Sequence, residues 1–255
     1  MNNIEKQKQS ELNKLFSEWK KIISKKEDII FQDDNLPYSP ALYFATDGFF
    51  PGYWQQKIKP LFIARETRYN SGQDIITNTI YSWKDEGKLP SNNSFWGRIL
   101  RIVYGIQNGG KIPFEELPET TTIAQNMIQT NNFGFAFMEV SKYSNDSDTG
   151  GTKDKKLMNR FLLDSELEKR NFFADEIEIL EPNIIITANL WDGTIKNSGF
   201  ESTFENWKTI KDIPQTAILY EVTIKGKKYR LIDLYHFSAV LSEKEYFYEP
   251  VMGMI

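Results

Sequence analysis

The sequence predicts an α/β fold: a three-layer α/β/α sandwich with a mostly parallel central sheet. Short apolar runs recur along the chain as KPLFIAR (59–65), FGFAFMEV (133–140) and NIIITAN (183–189), the type of run that forms strands buried on both faces. Amphipathic stretches with helical spacing separate these runs, and alternating strands and helices imply a parallel sheet covered on both sides. The chain has 255 residues, 40% of them hydrophobic and 14% aromatic, enough to bury a full core without cross-links. There is no internal repeat and no low-complexity linker, so one α/β domain over residues 1–255 is expected.

Residues 1–26 read as an N-terminal helical extension. Leu12, Leu15, Phe16, Trp19, Ile22 and Ile23 recur on one face, and lysines such as Lys14, Lys20, Lys21 and Lys25 crowd the rest. That lysine-rich side is a solvated helix face or, on a sharper reading, a contact for a polyanion. Residues 27–58, rich in Pro, Gly and aromatics, read as an irregular covering segment. The strand 59–65 stops at the polar turn ETRYNSG, and helices follow near 74–86, 94–106 and 120–130. After the strand 133–140 comes the polar loop SKYSNDSDTGGTKDKK, then a long amphipathic helix over 157–180 with a break near Arg170–Asn171. Pro182 opens the strand 183–189. The segment ILYEVTIKGKKYRLIDLYHFS reads as a hairpin turning at Lys225–Gly226.

Composition excludes several chemistries. With no cysteine there is no disulfide, thiolate zinc site, iron–sulfur cluster or cysteine nucleophile. A single histidine excludes a His-rich metal centre. The formal charge of −4 argues against an overall basic surface for nucleic acid, though not against a local basic groove. The N-terminus lacks the apolar run of a signal peptide, and no stretch approaches about 18 apolar residues. A cytoplasmic, soluble protein is expected.

In an open α/β sheet, ligands bind beyond the carboxyl ends of the strands. Those ends carry Arg65–Glu66–Thr67–Arg68, Glu139–Val140–Ser141–Lys142, Asn189–Leu190–Trp191–Asp192 and His236–Phe237–Ser238, the last holding the only histidine. The order and spacing of these four clusters, from about residue 58 to 245, resemble the uracil-DNA glycosylase superfamily. One branch of that family ends its first strand in G-Q-D-P-Y-H; here LFI leads into ARETRY, with Ala64 at the Gly, Glu66 at the acid and Thr67 at the proline. The family's middle strand ends in an Asn that reads the uracil edge, and FAFMEVSK puts Glu139 at or near it. ILEPNIIITANLWDG (179–193) is similar to the next strand. LIDLYHFSA (231–239) gives His236, Phe237, Ser238 and Ala239 where the family has H-P-S-P.

The resemblance implies a glycosylase-like fold and hydrolysis of the N-glycosidic bond of a damaged base in DNA, with no metal and no organic cofactor. It implies Glu66 as the carboxylate for the sugar or the water and His236 as the donor to the departing base. Glu139 and Ser141 become readers of the base edge, and Ala64, Arg65, Thr67, Arg68, Tyr69, Asn189 and Ser238 line the pocket. Tyr69 or Tyr81 would stack on an extruded base, and Val240 or Leu241 would wedge into the duplex. Three departures carry consequences. An ionised Glu139 only accepts, so it either reads an amino group or mimics an amide by being protonated. Arg68 replaces an aromatic, and with Arg65 and Lys142 it either contacts phosphate or neutralises Glu66 and Glu139. Phe237 replaces proline, which loosens the loop after His236. The competing classes are a non-catalytic nucleotide- or partner-binding protein and a hydrolase of free nucleosides or nucleotides.

Three further motifs are weak. GIQNGGKI (105–112) has Ile112 where a phosphate loop needs a hydroxyl, and reads as a Gly-rich helix stop. Asp146, Asp148 and Gly150 begin like a calcium loop, but Leu157 stands at the closing acid. His236 lies too close to Ser238 for a hydrolase triad.

Overall fold

The fold was analysed in a computed structural model that describes residues 2–25, 30–31, 37–38, 40–131, 133–145, 152–165, 170–191, 195 and 198–255. The possible calcium-loop residues Asp146, Asp148 and Gly150, and Asp192 of the third strand-end cluster, lie outside these.

Helix α1 (Asn3–Ile23) opens with a capping box: Asn2 accepts from the Glu5 N–H, and the Glu5 carboxylate accepts from the Asn2 N–H and from the Gly52 N–H. Two short strands, β1 (Ile30–Phe31) and β2 (Pro37–Tyr38), pair with each other. They are followed by α2 (Pro40–Tyr43) and β3 (Gly48–Phe49). The central elements are β4 (Pro60–Arg68), α3 (Ile75–Lys84), α4 (Phe95–Gln107), α5 (Thr120–Thr130), β5 (Ala136–Asn145), α6 (Thr152–Ser165), α7 (Phe172–Leu180) and β6 (Ile184–Ala188). The chain ends with β7 (Glu205–Ile213), β8 (Ala217–Ile224), β9 (Lys227–Leu234) and α8 (Glu249–Met252).

Seven strands form one sheet in the order β3-β5-β4-β6-β9-β8-β7. The four central strands, β5-β4-β6-β9, run parallel, whereas β3, β8 and β7 pair antiparallel. The sheet is therefore mixed around a parallel centre, a coarser result than the mostly parallel sheet expected. Side chains alternate across it as the strand period requires. Phe62, Phe137, Ile186 and Ile232 pack under α3, α4, α5 and α8, while Leu61, Met138, Ile185 and Leu231 pack under α1, α6 and α7. Helices thus cover both faces, giving three layers. α1 is an integral member of its layer: Trp19 is fully buried, stacks on Phe172 at 5.0 Å, and donates its indole N–H to Ser165 (3.0 Å).

The expected break in the long helix separates α6 from α7, and Asn171 caps α7 by accepting from the Ala174 N–H. The hairpin turns where expected. Lys225 and Gly226 both have positive φ (47° and 77°), the pairing of a type I′ turn that matches strand twist. The helix stop after α4 is also as expected, with Gly109 and Gly110 at positive φ and the Gly110 N–H returning to Gly105 O. Among the described residues, no helix is long and apolar enough to cross a membrane.

Candidate functional site

The order of the parallel strands reverses at β4: the chain leaves β4 toward β5 on one side and later returns to β6 on the other. A crevice opens at such a reversal. Here a cleft of about 470 Å³ lies over the carboxyl-terminal half of β4, the middle of β5 and the loop after β9. Ala64, Arg65, Glu66 and Arg68 enter it from β4, Glu139 from β5, and His236 and Ser238 from the loop after β9. The sole histidine and the acid at position 66 therefore face one hollow. Phe95 and Trp96, at the start of α4, form its aromatic wall.

The local chain geometry sets each side chain. The turn after β4 takes Tyr69 into the left-handed region (φ 56°). It is tied by Asn70, whose N–H donates to Ser144 Oγ (2.9 Å) and whose amide donates to Arg68 O (2.7 Å). Helix α4 is capped by Ser94, which accepts from the Gly97 N–H (3.0 Å). A Cβ at Gly97 would come within 2.0 Å of Ser91 O, so glycine alone lets this turn fold back and present Phe95 and Trp96. In the loop after β9, the Ser238 N–H donates to His236 Nδ1 (3.2 Å) and the Ala239 N–H to His236 O (2.8 Å). Nδ1 is thus an acceptor, which assigns the ring proton of the neutral imidazole to Nε2. Burial, with a smaller contribution from the Arg65 charge, lowers the imidazole pKa to about 4, so the ring is neutral at physiological pH.

Glu139 is the most unusual group in the cleft. It is only 4% exposed, and its Oε2 has no hydrogen-bond partner among the described residues. Burial first, then the charges of Glu66 and Asp47, push its pKa well above the usual carboxylate range. The protonated form is therefore favoured: one O–H donor and one carbonyl acceptor. Its backbone N–H donates to Asp47 Oδ2 (2.6 Å), and that oxygen also accepts from Lys142 Nζ (2.6 Å). Lys142 in turn contacts Glu176 at 3.0 Å, and all three side chains are fully buried.

Lys142 therefore corrects one expectation. It lies behind the strand, paired with Asp47 and Glu176 and facing Phe16 and Trp19, and does not reach the cleft to meet a phosphate. Arg65 Nε stands 3.9 Å from Glu66 Oε2, a loose pairing that fits the neutralising role. Four other expected site residues lie elsewhere. Ser141 exchanges hydrogen bonds with the Tyr143 backbone (both 3.2 Å) where the β4–β5 register slips, so its hydroxyl is absorbed by the strand. Tyr69 is exposed and does not line the cleft. Asn189 borders a different hollow, beside Asp233 and Tyr235. Tyr81 is exposed on α3 away from the cleft lining. Thr67 is in β4, with its side chain outside the described atoms.

Sequence reasoning missed Phe95, Trp96 and Asp47. The first two read as ordinary packing residues of a helix, and Asp47 sits in the segment read as irregular covering. Among the described residues, no three acidic or histidine side chains gather as metal ligands would. Scans of the chain against known protein families, curated proteins and solved structures found no match.

Proposed function

We propose that the protein hydrolyses the N-glycosidic bond between deoxyribose and a base in DNA. The observation that carries this reading is the convergence of Glu66, Glu139 and His236 on one cleft with an aromatic wall. Breaking the bond leaves positive charge on the sugar and negative charge on the base. The Glu66 carboxylate stabilises the cationic sugar and takes the proton of the water whose oxygen attacks C1′. The His236 Nε2–H donates to the carbonyl oxygen where the leaving base accumulates charge, and a neutral imidazole suffices for that.

Protonated Glu139 gives the cleft its preference. An O–H beside a carbonyl complements a base edge bearing an N–H beside a carbonyl, as uracil and hypoxanthine do, whereas an ionised Glu139, which only accepts, would meet the carbonyl of that edge with no donor. Phe95 and Trp96 supply the stacking surface in place of Tyr69 or Tyr81. Val240, wholly exposed four residues after His236, is the wedge that fills the space left by the extruded base. Arg65 and Arg68 bring positive charge to the cleft mouth of a chain that is acidic overall.

The test is incubation with oligonucleotides carrying uracil, hypoxanthine or an alkylated base, followed by alkaline cleavage of abasic sites. The expected result is release of uracil or hypoxanthine, lowered about 10²- to 10⁴-fold by Glu66→Gln and by His236→Ala. Undiminished release in both variants would reject these roles. Cleavage of free nucleosides with no action on DNA would move the activity to the nucleoside-hydrolase reading, and binding without cleavage would leave a binding protein on the same fold.

A further inference from the structure

We propose that Arg98 is a positioning residue for His236, and that its guanidinium builds the loop 236–241 into a rigid arm that turns the imidazole into the cleft and Val240 into solvent. Arg98 lies on α4, is 4% exposed, and stands one turn from Phe95 and Trp96. Its Nη1 donates to Phe237 O and to Ala239 O (2.6 Å), and its Nη2 donates to Leu241 O (3.3 Å). Three carbonyls of one short loop thus converge on one planar cation, a geometry that the guanidinium fork satisfies and an ammonium does not. The guanidinium also sits 4.5 Å over the Phe247 ring, which fixes its plane from the other side. This is costly architecture for a surface loop. Its result is that Phe237 is buried against Phe62 and Phe95 while Val240, three residues on, is 100% exposed. The loop lacks the family's proline, and the expectation that Phe237 loosens it is reversed: buried Phe237 and Arg98 hold it from inside.

The inference does not depend on the glycosylase reading, because His236 is the only imidazole in the chain and reports on itself. The charged groups that share its cleft are Arg65, Glu66 and Arg68 on β4 and Glu139 on β5, with the neutral Phe95 ring 6.0 Å away on α4. The experiment is a pH titration of the His236 ring signals by NMR in the full chain, with nitrogen shifts reporting the tautomer. Wild type is expected to titrate near 4 with the proton on Nε2. In Arg98→Met the loop is released, the ring becomes solvated, and the midpoint rises toward 6.5 with mixed tautomers. Arg98→Lys is expected to fall between the two, and it decides the question if the methionine variant does not fold. Arg101→Lys, on the same helix but paired with Glu243, is expected to leave the midpoint unchanged. An unmoved midpoint in a folded Arg98 variant, or an equal shift in Arg101→Lys, would overturn the proposal.

Discussion

Two acids stand on parallel strands of the same sheet, Glu139 within β5 and Asp233 at the end of β9, and the fold treats them in opposite ways. Asp233 accepts from the Thr187 hydroxyl (2.6 Å), and the nearby backbone N–H groups of Asn189 and Leu190 favour its charged form, although the Asn189 N–H itself donates to Leu234 O (2.7 Å). Burial still raises its pKa, but these three donors hold the rise to about 6. Glu139 has an oxygen with no partner among the described residues, faces a second acid across a cleft, and is anchored through its backbone to a buried ion cluster. The first acid staples the end of β6 to β9. The second keeps a buried oxygen with no partner among the described residues. Polar residues at a strand end are thus necessary but not sufficient for a site, and what separates the two cases is whether the protein has already spent their hydrogen bonds.

The comparison breaks most severely at Lys142. Lys142→Met removes the cation between Asp47 and Glu176 and is expected to destabilise the chain by about 3–5 kcal/mol, read from the midpoint of urea unfolding. A loss below about 1 kcal/mol would mean that the cluster does not hold the back of the cleft. Next in size is Asp233→Asn. The native carboxyl is raised from its ordinary 3.8 to about 6, so the folded chain holds that proton more tightly than the unfolded chain does. Its contribution is complete below about pH 3.8 and is lost as pH rises through 6. Relative to the asparagine variant, wild type should lose about 3 kcal/mol over that window. An identical pH dependence of unfolding in the two proteins would refute the staple. The smallest effect is expected at Glu139→Gln, which keeps one donor and one acceptor in nearly the same shape. Stability should change by less than about 1 kcal/mol, and base release at neutral pH should survive. Wild-type release should fall as pH rises through the elevated midpoint of Glu139, while the glutamine variant stays flat over that range. A fall of equal steepness in both would take base reading away from Glu139.

Much of the fold was legible because burial writes itself into sequence. β4, β6 and the β8–β9 hairpin are apolar runs bounded by Pro, Gly or polar turns and lie within a few residues of where they were expected, whereas β5 runs on through Ser141–Asn145, which had read as the start of a polar loop. β7 was not, because ENWKTIKDI is exposed along nearly its whole length and carries two register shifts. With neither face buried it has no alternation to read. β3 is too short to leave a pattern. At the site, strand parity puts Glu66 on the same face as Phe62 and Ala64, and Glu139 on the face of Phe137, so their convergence was implicit in the sequence. Ser141 shares that parity and pairs in register with Glu66, but its hydroxyl is taken up by the Tyr143 backbone just before the register slips. Asp47 gave no periodic signal. Arg98 did: a charge in the middle of the apolar helix Phe95–Ile106 is a buried charge that needs partners, and that signal was available unread.

The central claim is that the acid at the cleft floor is held protonated with an unused oxygen. The most direct measurement is a carbon NMR titration of the Glu139 side-chain carboxyl, assigned by its loss in Glu139→Gln. The account predicts a midpoint well above the ordinary 4.5, with the protonated form still present where exposed glutamates have ionised. A midpoint at or below 4.5 would contradict it.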